Sequence, residues 1–347
     1  MTDARPLLLL LGSRGHGVTA YAADVAKAVA LGSGVDTSIH AQDAEHAVGV
    51  ARRHPRTHVH VTDRLLGSTP EDAAANLERL ASVTRLSITA HDLPQASDGT
   101  GLDRRVAAYT RMLAAADAVA VNSEHERALI REFLPLDIDV TSIPLGTRTD
   151  AVPPRRDGEA VTRDLVVLIA GYVYPGKGHV AACHAAADAA SRLRGAGHDV
   201  GDVIVRAIGA PSPGHERDVD ELRATTAARG VRVEITGFLD DDAFAAQMRS
   251  PGVPLAAHEH VSASRSMLDW IEQGRRPLVA ESRYAAEMDA LRPGTMTRYA
   301  PAELAGVIAD AWLRRGETWL AAGTGLRPSV GDAAARYERW WREGDTR

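Results

Sequence analysis

The sequence predicts an α/β protein of two Rossmann-like, doubly wound domains facing a cleft, with a last helix that crosses back to the first domain. Three observations carry this expectation. Short runs that are apolar at every position, such as Leu7–Leu11 and Leu165–Ala170, alternate with longer segments of helical period, as in sheets buried on both faces. A glycine-rich turn follows the first such run of each half, Gly12 to Gly17 and Gly171 to Gly178. The chain's 347 residues, 45% of them hydrophobic, exceed one compact core and suit two domains of ordinary size.

In the first half, Leu7–Leu11 reads as a buried parallel strand and Val18–Leu31 as the helix after it. Glycines 12, 15 and 17 between them let backbone amides approach an anion, and the helix dipole adds attraction. Their spacing is not GxGxxG and no Walker lysine follows, so dinucleotide and nucleoside-triphosphate sites fit poorly. Further strands are expected at Val35–His40, Thr57–Val61, Arg85–Ala90, Ala118–Val121 and Val140–Ile143. His58 and His60 share one strand face and, with Arg52, Arg53, His54 and Arg56, read as a solvated basic edge. His91 and Asp92 stand just past a strand's carboxyl end, where such sheets place chemistry. Ser123 and Glu126 form a capping box for the helix that runs to Phe133.

Gly146–Arg163 is rich in Pro, Arg, Asp and Gly and has no periodicity, which puts a domain boundary there. The expected division is 1–150, 151–326 and a terminal helix over 327–347. The second half starts with Leu165–Ala170 and a glycine loop whose Lys177 is placed to neutralise phosphate. Strands at Val203–Ile208, Arg232–Thr236, Val253–Ala257 and Leu278–Ala280 complete its sheet, with a helix over Asp240–Arg249. After Ala257, a polar loop opens a short helix whose first turn crowds Ser262, Ser264, Arg265 and Ser266, with Asp269 and Glu272 one turn apart behind them. Such a turn, with free N–H groups and a positive dipole end, suits a phosphate. Pro301–Leu320 reads as helical, and a final helix after Pro328 carries Tyr337, Trp340 and Trp341, too many rings to leave undocked.

The formal net charge of −6 and pI of about 6.2 argue against a nucleic-acid partner. The single cysteine, Cys183, forms no internal disulfide and reads as a packed core residue. Leu7–Leu11 is too short for a signal core or a membrane span, so a cytoplasmic protein with at most peripheral membrane contact is expected.

Taken in order, Val121-Asn122-Ser123-Glu124, Ile143-Pro144-Leu145-Gly146, Gly171 through Lys177-Gly178, Thr236-Gly237-Phe238, Asp269 through Gly274 with Pro277, and Glu287 resemble the family-4 glycosyltransferases of the GT-B fold. The resemblance covers essentially the whole chain. It implies a nucleotide-sugar donor held by the C-terminal domain, a small-molecule or lipid-linked acceptor held by the N-terminal one, no cofactor, no obligatory metal, and retention of anomeric configuration. Lys177 falls on the family lysine for the donor diphosphate, and Gly15, His16 and Gly17 on the loop that meets diphosphate and reacting sugar. His91 falls near the transferred sugar and Asp269 on the second acid of the E-x7-E pattern, the one that meets the ribose. Gly171, Gly237 and Phe238 belong to the same donor side.

The sequence departs from the family in two places. The first acid of the pattern falls at Val261, with Glu259 two residues away, and the family arginine beside the strand-ending glycine is Tyr172. Arg265 or Arg206 is then expected to supply the missing positive charge. Three alternatives stand beside this reading. One is an inverting GT-B enzyme with His16 as base, oriented by Asp92 or Asp117. Another is a catalytically silent nucleotide-sugar-binding subunit. The third is a metal hydrolase built on His258, Glu259 and His260, which lacks a third histidine and the HExxH pattern.

Overall fold

The computed structural model describes residues 5–155, 162–258 and 262–343. They form two compact units, one made of the chain up to Arg148 together with everything from Arg327 onward, the other of Thr149–Leu326. The first unit holds a six-stranded sheet of β1 (Leu7–Leu10), β2 (Ser38–His40), β3 (Arg56–Val61), β4 (Arg85–Ala90), β5 (Ala118–Val121) and β6 (Val140–Ser142), in the order β2-β1-β3-β4-β5-β6. The second holds β7 (Leu165–Ala170), β8 (Val203–Ile208), β9 (Val231–Ile235), β10 (Val253–Ala256), β11 (Leu278–Ala280) and β12 (Thr297–Tyr299), in the order β12-β11-β10-β7-β8-β9. All pairings between these strands are parallel. Helices interleave throughout, so this is the expected α/β fold class of two doubly wound sheets.

The apolar runs are explained by position in the sheet. In β7, Leu165, Val167 and Ile169 pack with Ala182, Ala186, Ala189 and Leu193 of the helix His179–Gly195, while Val166, Leu168 and Ala170 pack with Met248 and Trp270 on the opposite face. A central strand buried on both faces has no place for alternation. Cys183 lies fully buried in that alanine-rich helix, and burial pushes its thiol up to about 12.

Several elements differ from expectation. The strand expected at Val35–His40 starts only at Ser38, because Gly34 first closes the preceding helix in a left-handed turn. A sixth strand, β12, was not foreseen; three residues at a sheet edge carry little periodicity. Pro301–Leu320 is not one helix but a 3-10 turn, a helix over Leu304–Leu313 and a second 3-10 turn over Arg315–Thr318. The helix expected at Asp240–Arg249 spans Asp241–Met248, with Asp240 as its cap.

The largest correction concerns His58 and His60. They are 1% and 5% exposed, not a solvated edge. β3 lies in mid-sheet, and its far face is covered by the helices Gly17–Ser33 and Val330–Glu343, so His58 and His60 pack against Tyr21, Tyr337 and Trp341. The last helix thus belongs to the first unit, and Arg56 donates to the carbonyl of Trp341 at 2.9 Å.

Candidate functional site

In a doubly wound sheet the connections leave in opposite directions at one point, and the loops there part to leave a crevice at the carboxyl ends of the strands. In the second unit that point lies between β7 and β10. The loop after β7 carries Gly171 to Gly178, and the loop after β10 carries His258. Gly178 adopts φ +87 and a side chain there would overlap the Ala257 carbonyl, so only glycine lets the two loops approach this closely. Gly171, at φ +102, leaves room for the Lys177 ammonium, 3.2 Å from where a Cβ would stand.

Lys177 is consequently 4% exposed, and its Nζ lies 2.6 Å from Nε2 of His258. Burial lowers its pKa to about 8, against the opposing pull of Asp269. Ser266 Oγ lies 3.4 Å from the same His258 nitrogen, and Ser264 caps the helix Arg265–Glu272 while its own N–H donates to the Tyr284 hydroxyl at 3.0 Å. His179, first residue of the helix after Gly178, is also 4% exposed, and burial beside Lys177 pushes its imidazole down to about 4. Among the described residues neither nitrogen of His179 has a hydrogen-bond partner, nor does Nδ1 of His258. The arrangement gathers a cation and buried polar hydrogens around a point with too few acceptors, which is the chemistry of an anion site.

The other donor-side residues are dispersed around it. Ser262 is buried in the loop before the helix. Arg265 forms ion pairs with Asp269, at 2.9 Å, and with Glu272. Arg206 pairs with Glu234 across β8 and β9 at 2.8 Å. Both arginines expected to supply the missing charge are therefore neutralised by carboxylates, and Lys177 is left as the cation at the switch point. Asp269 is likewise engaged by Arg265. Tyr172 and Phe238 are 40% and 77% exposed at the carboxyl edges of β7 and β9, with Gly237 in the turn before Phe238. Glu259 and Val261, and with them His260, lie outside the described residues. Among the described residues no group of three or more His, Cys, Asp or Glu is arranged to hold a metal ion.

In the first unit the switch point lies between β1 and β3. Gly15, His16 and Gly17 occupy the turn after β1, and Nδ1 of His16 accepts from the Val18 N–H at 3.3 Å, capping the helix. Burial and Arg64 lower its pKa, so the ring is neutral at neutral pH. His91 is buried after β4, its Nε2 2.9 Å from Nδ1 of His60 and its carbonyl accepting from the Tyr109 hydroxyl at 2.8 Å. Asp92 adopts a left-handed backbone, φ 50, and pairs with Arg105 at 3.0 Å. Asp117, offered as a partner for His16, stands instead before β5 and accepts from the Leu86 N–H at 2.7 Å. In a parallel sheet that is the amino edge, opposite the glycine turn, so the pairing is ruled out.

Sequence reasoning missed His179 and the approach of His258 to Lys177. A histidine one residue after a Lys-Gly pair was a usable signal for the first. The second needed the contact between two loops 81 residues apart.

No family model matches the sequence, and no curated protein matches it. Among solved structures, the chain is similar to Anabaena HepE in complex with UDP-glucose, at 16% identity over 97% of this chain and 98% of that one, with a TM-score of 0.65. It is similar to a UDP-forming α,α-trehalose-phosphate synthase from Burkholderia xenovorans in complex with glucose-6-phosphate, at 12% identity over 93% and 77% and a TM-score of 0.60. The pneumococcal O-GlcNAc transferase GtfA in complex with UDP and GlcNAc is a third, at 12% identity over 83% and 57% and a TM-score of 0.57. At such identities the likeness is one of architecture, and the chain has the two-sheet α/β architecture of GT-B proteins.

Proposed function

We propose that the chain is a glycosyltransferase that moves a sugar from a nucleoside-diphosphate sugar, with uridine as the first candidate base, to a hydroxyl acceptor. The observation that carries this reading is the buried Lys177 ammonium at the switch point of the second sheet, surrounded by imidazoles that lack acceptors. UDP-glucose and UDP bound to proteins of the same architecture support it.

The chemistry follows from charge. As the bond from the anomeric carbon to the diphosphate breaks, negative charge grows on the departing phosphate, and a fixed cation with donors in a site of low dielectric lowers the barrier most there. Lys177 and the N–H groups opening the two helices have that role in this reading. Asp269 and Arg265 hold the nucleoside side, and Tyr172, Gly237 and Phe238 border it. The acceptor is assigned to the first unit, where His16, His91 and Asp92 stand at the carboxyl edge of its sheet. We expect retention of configuration without a metal, in the cytoplasm, with a small or lipid-linked acceptor. No helix among the described residues is long and apolar enough to cross a membrane.

The test is a thermal-shift panel of UDP, GDP, ADP and TDP and their sugars, with and without EDTA, followed by the anomeric configuration of any product. A selective shift that survives EDTA supports the donor site; an inverted product would move the base role to His16. No shift with any nucleotide would sink the reading.

A further inference from the structure

Each neutral imidazole carries one N–H donor and one acceptor nitrogen. Nε2 of His258 faces the Lys177 ammonium at 2.6 Å and accepts from it, so the ring's own proton sits on Nδ1, which is buried with no partner among the described residues. His179 likewise brings a buried N–H with no acceptor. Three elements therefore converge on one point with an excess of donors: the Gly171–Gly178 loop, the start of the helix His179–Gly195, and the loop after β10. A buried donor without an acceptor is destabilising, and phosphate oxygens would remove that cost.

The arrival of an anion also changes what His258 faces. Once the ammonium of Lys177 turns its hydrogens to phosphate oxygens, the Nε2 lone pair of His258 keeps only the Ser266 hydroxyl, at 3.4 Å, and points toward negative charge. That is unfavourable unless the nitrogen takes a proton.

We propose that His258 is a second, proton-gated cation of the diphosphate site: it is neutral in the free protein and becomes protonated when a nucleoside-diphosphate sugar binds, so that binding takes up a proton. The inference rests on the donor reading above and goes beyond it in assigning His258. Among the described residues His258 meets Lys177 Nζ at 2.6 Å, Ser266 Oγ at 3.4 Å and the ring of His179; Tyr174 lies beside Lys177, Tyr284 accepts from the Ser264 N–H, and Arg265, Asp269 and Glu272 are on the helix of Ser266. Asp269 and Glu272 already pair with Arg265, and among the described residues it is burial, with the Lys177 ammonium beside it, that holds the imidazole neutral in the free protein.

Calorimetry on the full chain tests this, using uridine, guanosine, adenosine and thymidine diphosphate glucoses, whose doubly esterified diphosphates keep their charge across the range. Titrations at pH 7 in buffers of different ionisation heat count the protons. Lys177, with a pKa of about 8, is already about nine-tenths protonated at pH 7 and can account for only about a tenth of a proton. More than about half a proton taken up, with affinity tightening toward tenfold as pH falls from 7 to 6, below the range in which Lys177 titrates, is the expected result. His258→Gln, which keeps an acceptor for Lys177, should abolish that slope. Binding with no proton uptake in the wild-type protein, a count that needs no variant to fold, overturns the assignment and leaves the donor reading standing. An unchanged slope in His258→Gln also overturns it. Absence of binding by every nucleotide sugar brings down both together.

Discussion

Each unit buries a group of histidines near the middle of its parallel sheet, and the two groups are treated in opposite ways. In the first unit they are provided for. Nδ1 of His58 is 3.0 Å from Ser87 Oγ and its Nε2 3.2 Å from Thr89 Oγ1, which in turn meets the Tyr337 hydroxyl at 3.0 Å. His60 and His91 share one hydrogen bond. In the second unit, His179 and one nitrogen of His258 are buried without partners among the described residues, next to a buried ammonium. A satisfied buried polar group is architecture, whereas an orphaned one stores a cost that a bound ligand or water relieves. Burial alone does not separate them, and the hydrogen-bond account does.

The contrast can be broken most directly at Lys177. Lys177→Ala should lower kcat/KM for the donor by about 100-fold or more, yet leave the melting temperature unchanged or raised, because a buried cation is removed along with its desolvation cost. A large fall in melting temperature would make Lys177 a structural residue. The next effect is on acid stability. The folded pKa of His58 is pushed down to about 3 by burial, and those of His60 and His91 lie well below their ordinary value, so the unfolded chain binds more protons once pH drops below about 6.5. Stability should therefore fall as pH falls through that value, by about 1 kcal/mol per histidine per pH unit, and continue to fall toward about 3 for His58. Urea midpoints at pH 7.5 and 5.5 measure this, and equal midpoints would contradict the buried neutral rings.

Smaller changes sharpen the comparison. Tyr337→Phe removes the hydroxyl that meets Thr89 and Asn122, and should cost about 1–2 kcal/mol in urea titrations. His179→Leu, by contrast, removes two orphaned nitrogens and should leave stability unchanged or raise it by up to about 1 kcal/mol. If His179→Leu proves as damaging as Tyr337→Phe, the two groups of histidines are alike after all.

Much of the fold was legible because its signals are local. Runs such as Leu165–Ala170 announce strands buried on both faces, Ser123 and Glu126 announce a helix start, and Gly171 with Gly178 announces a turn that a side chain could not make. Strand β12 and the broken helix after Pro301 escaped because three-residue elements carry no period. Lys177 could be picked out by its place between glycines and a helix.

The sequence by itself determined the α/β class with its two doubly wound sheets and the glycine turns, since propensity, period and glycine geometry act over a few neighbouring residues. Only the tertiary structure decided which charged and titratable groups remain available to a ligand. Arg265 or Arg206 was expected to supply the charge missing at Tyr172, but helix spacing and strand register hand them to carboxylates. His58 and His60 looked like surface until a helix from the far end of the chain covered them. Pairing and burial depend on residues tens to hundreds of positions away, and no local pattern in the chain encodes that distance.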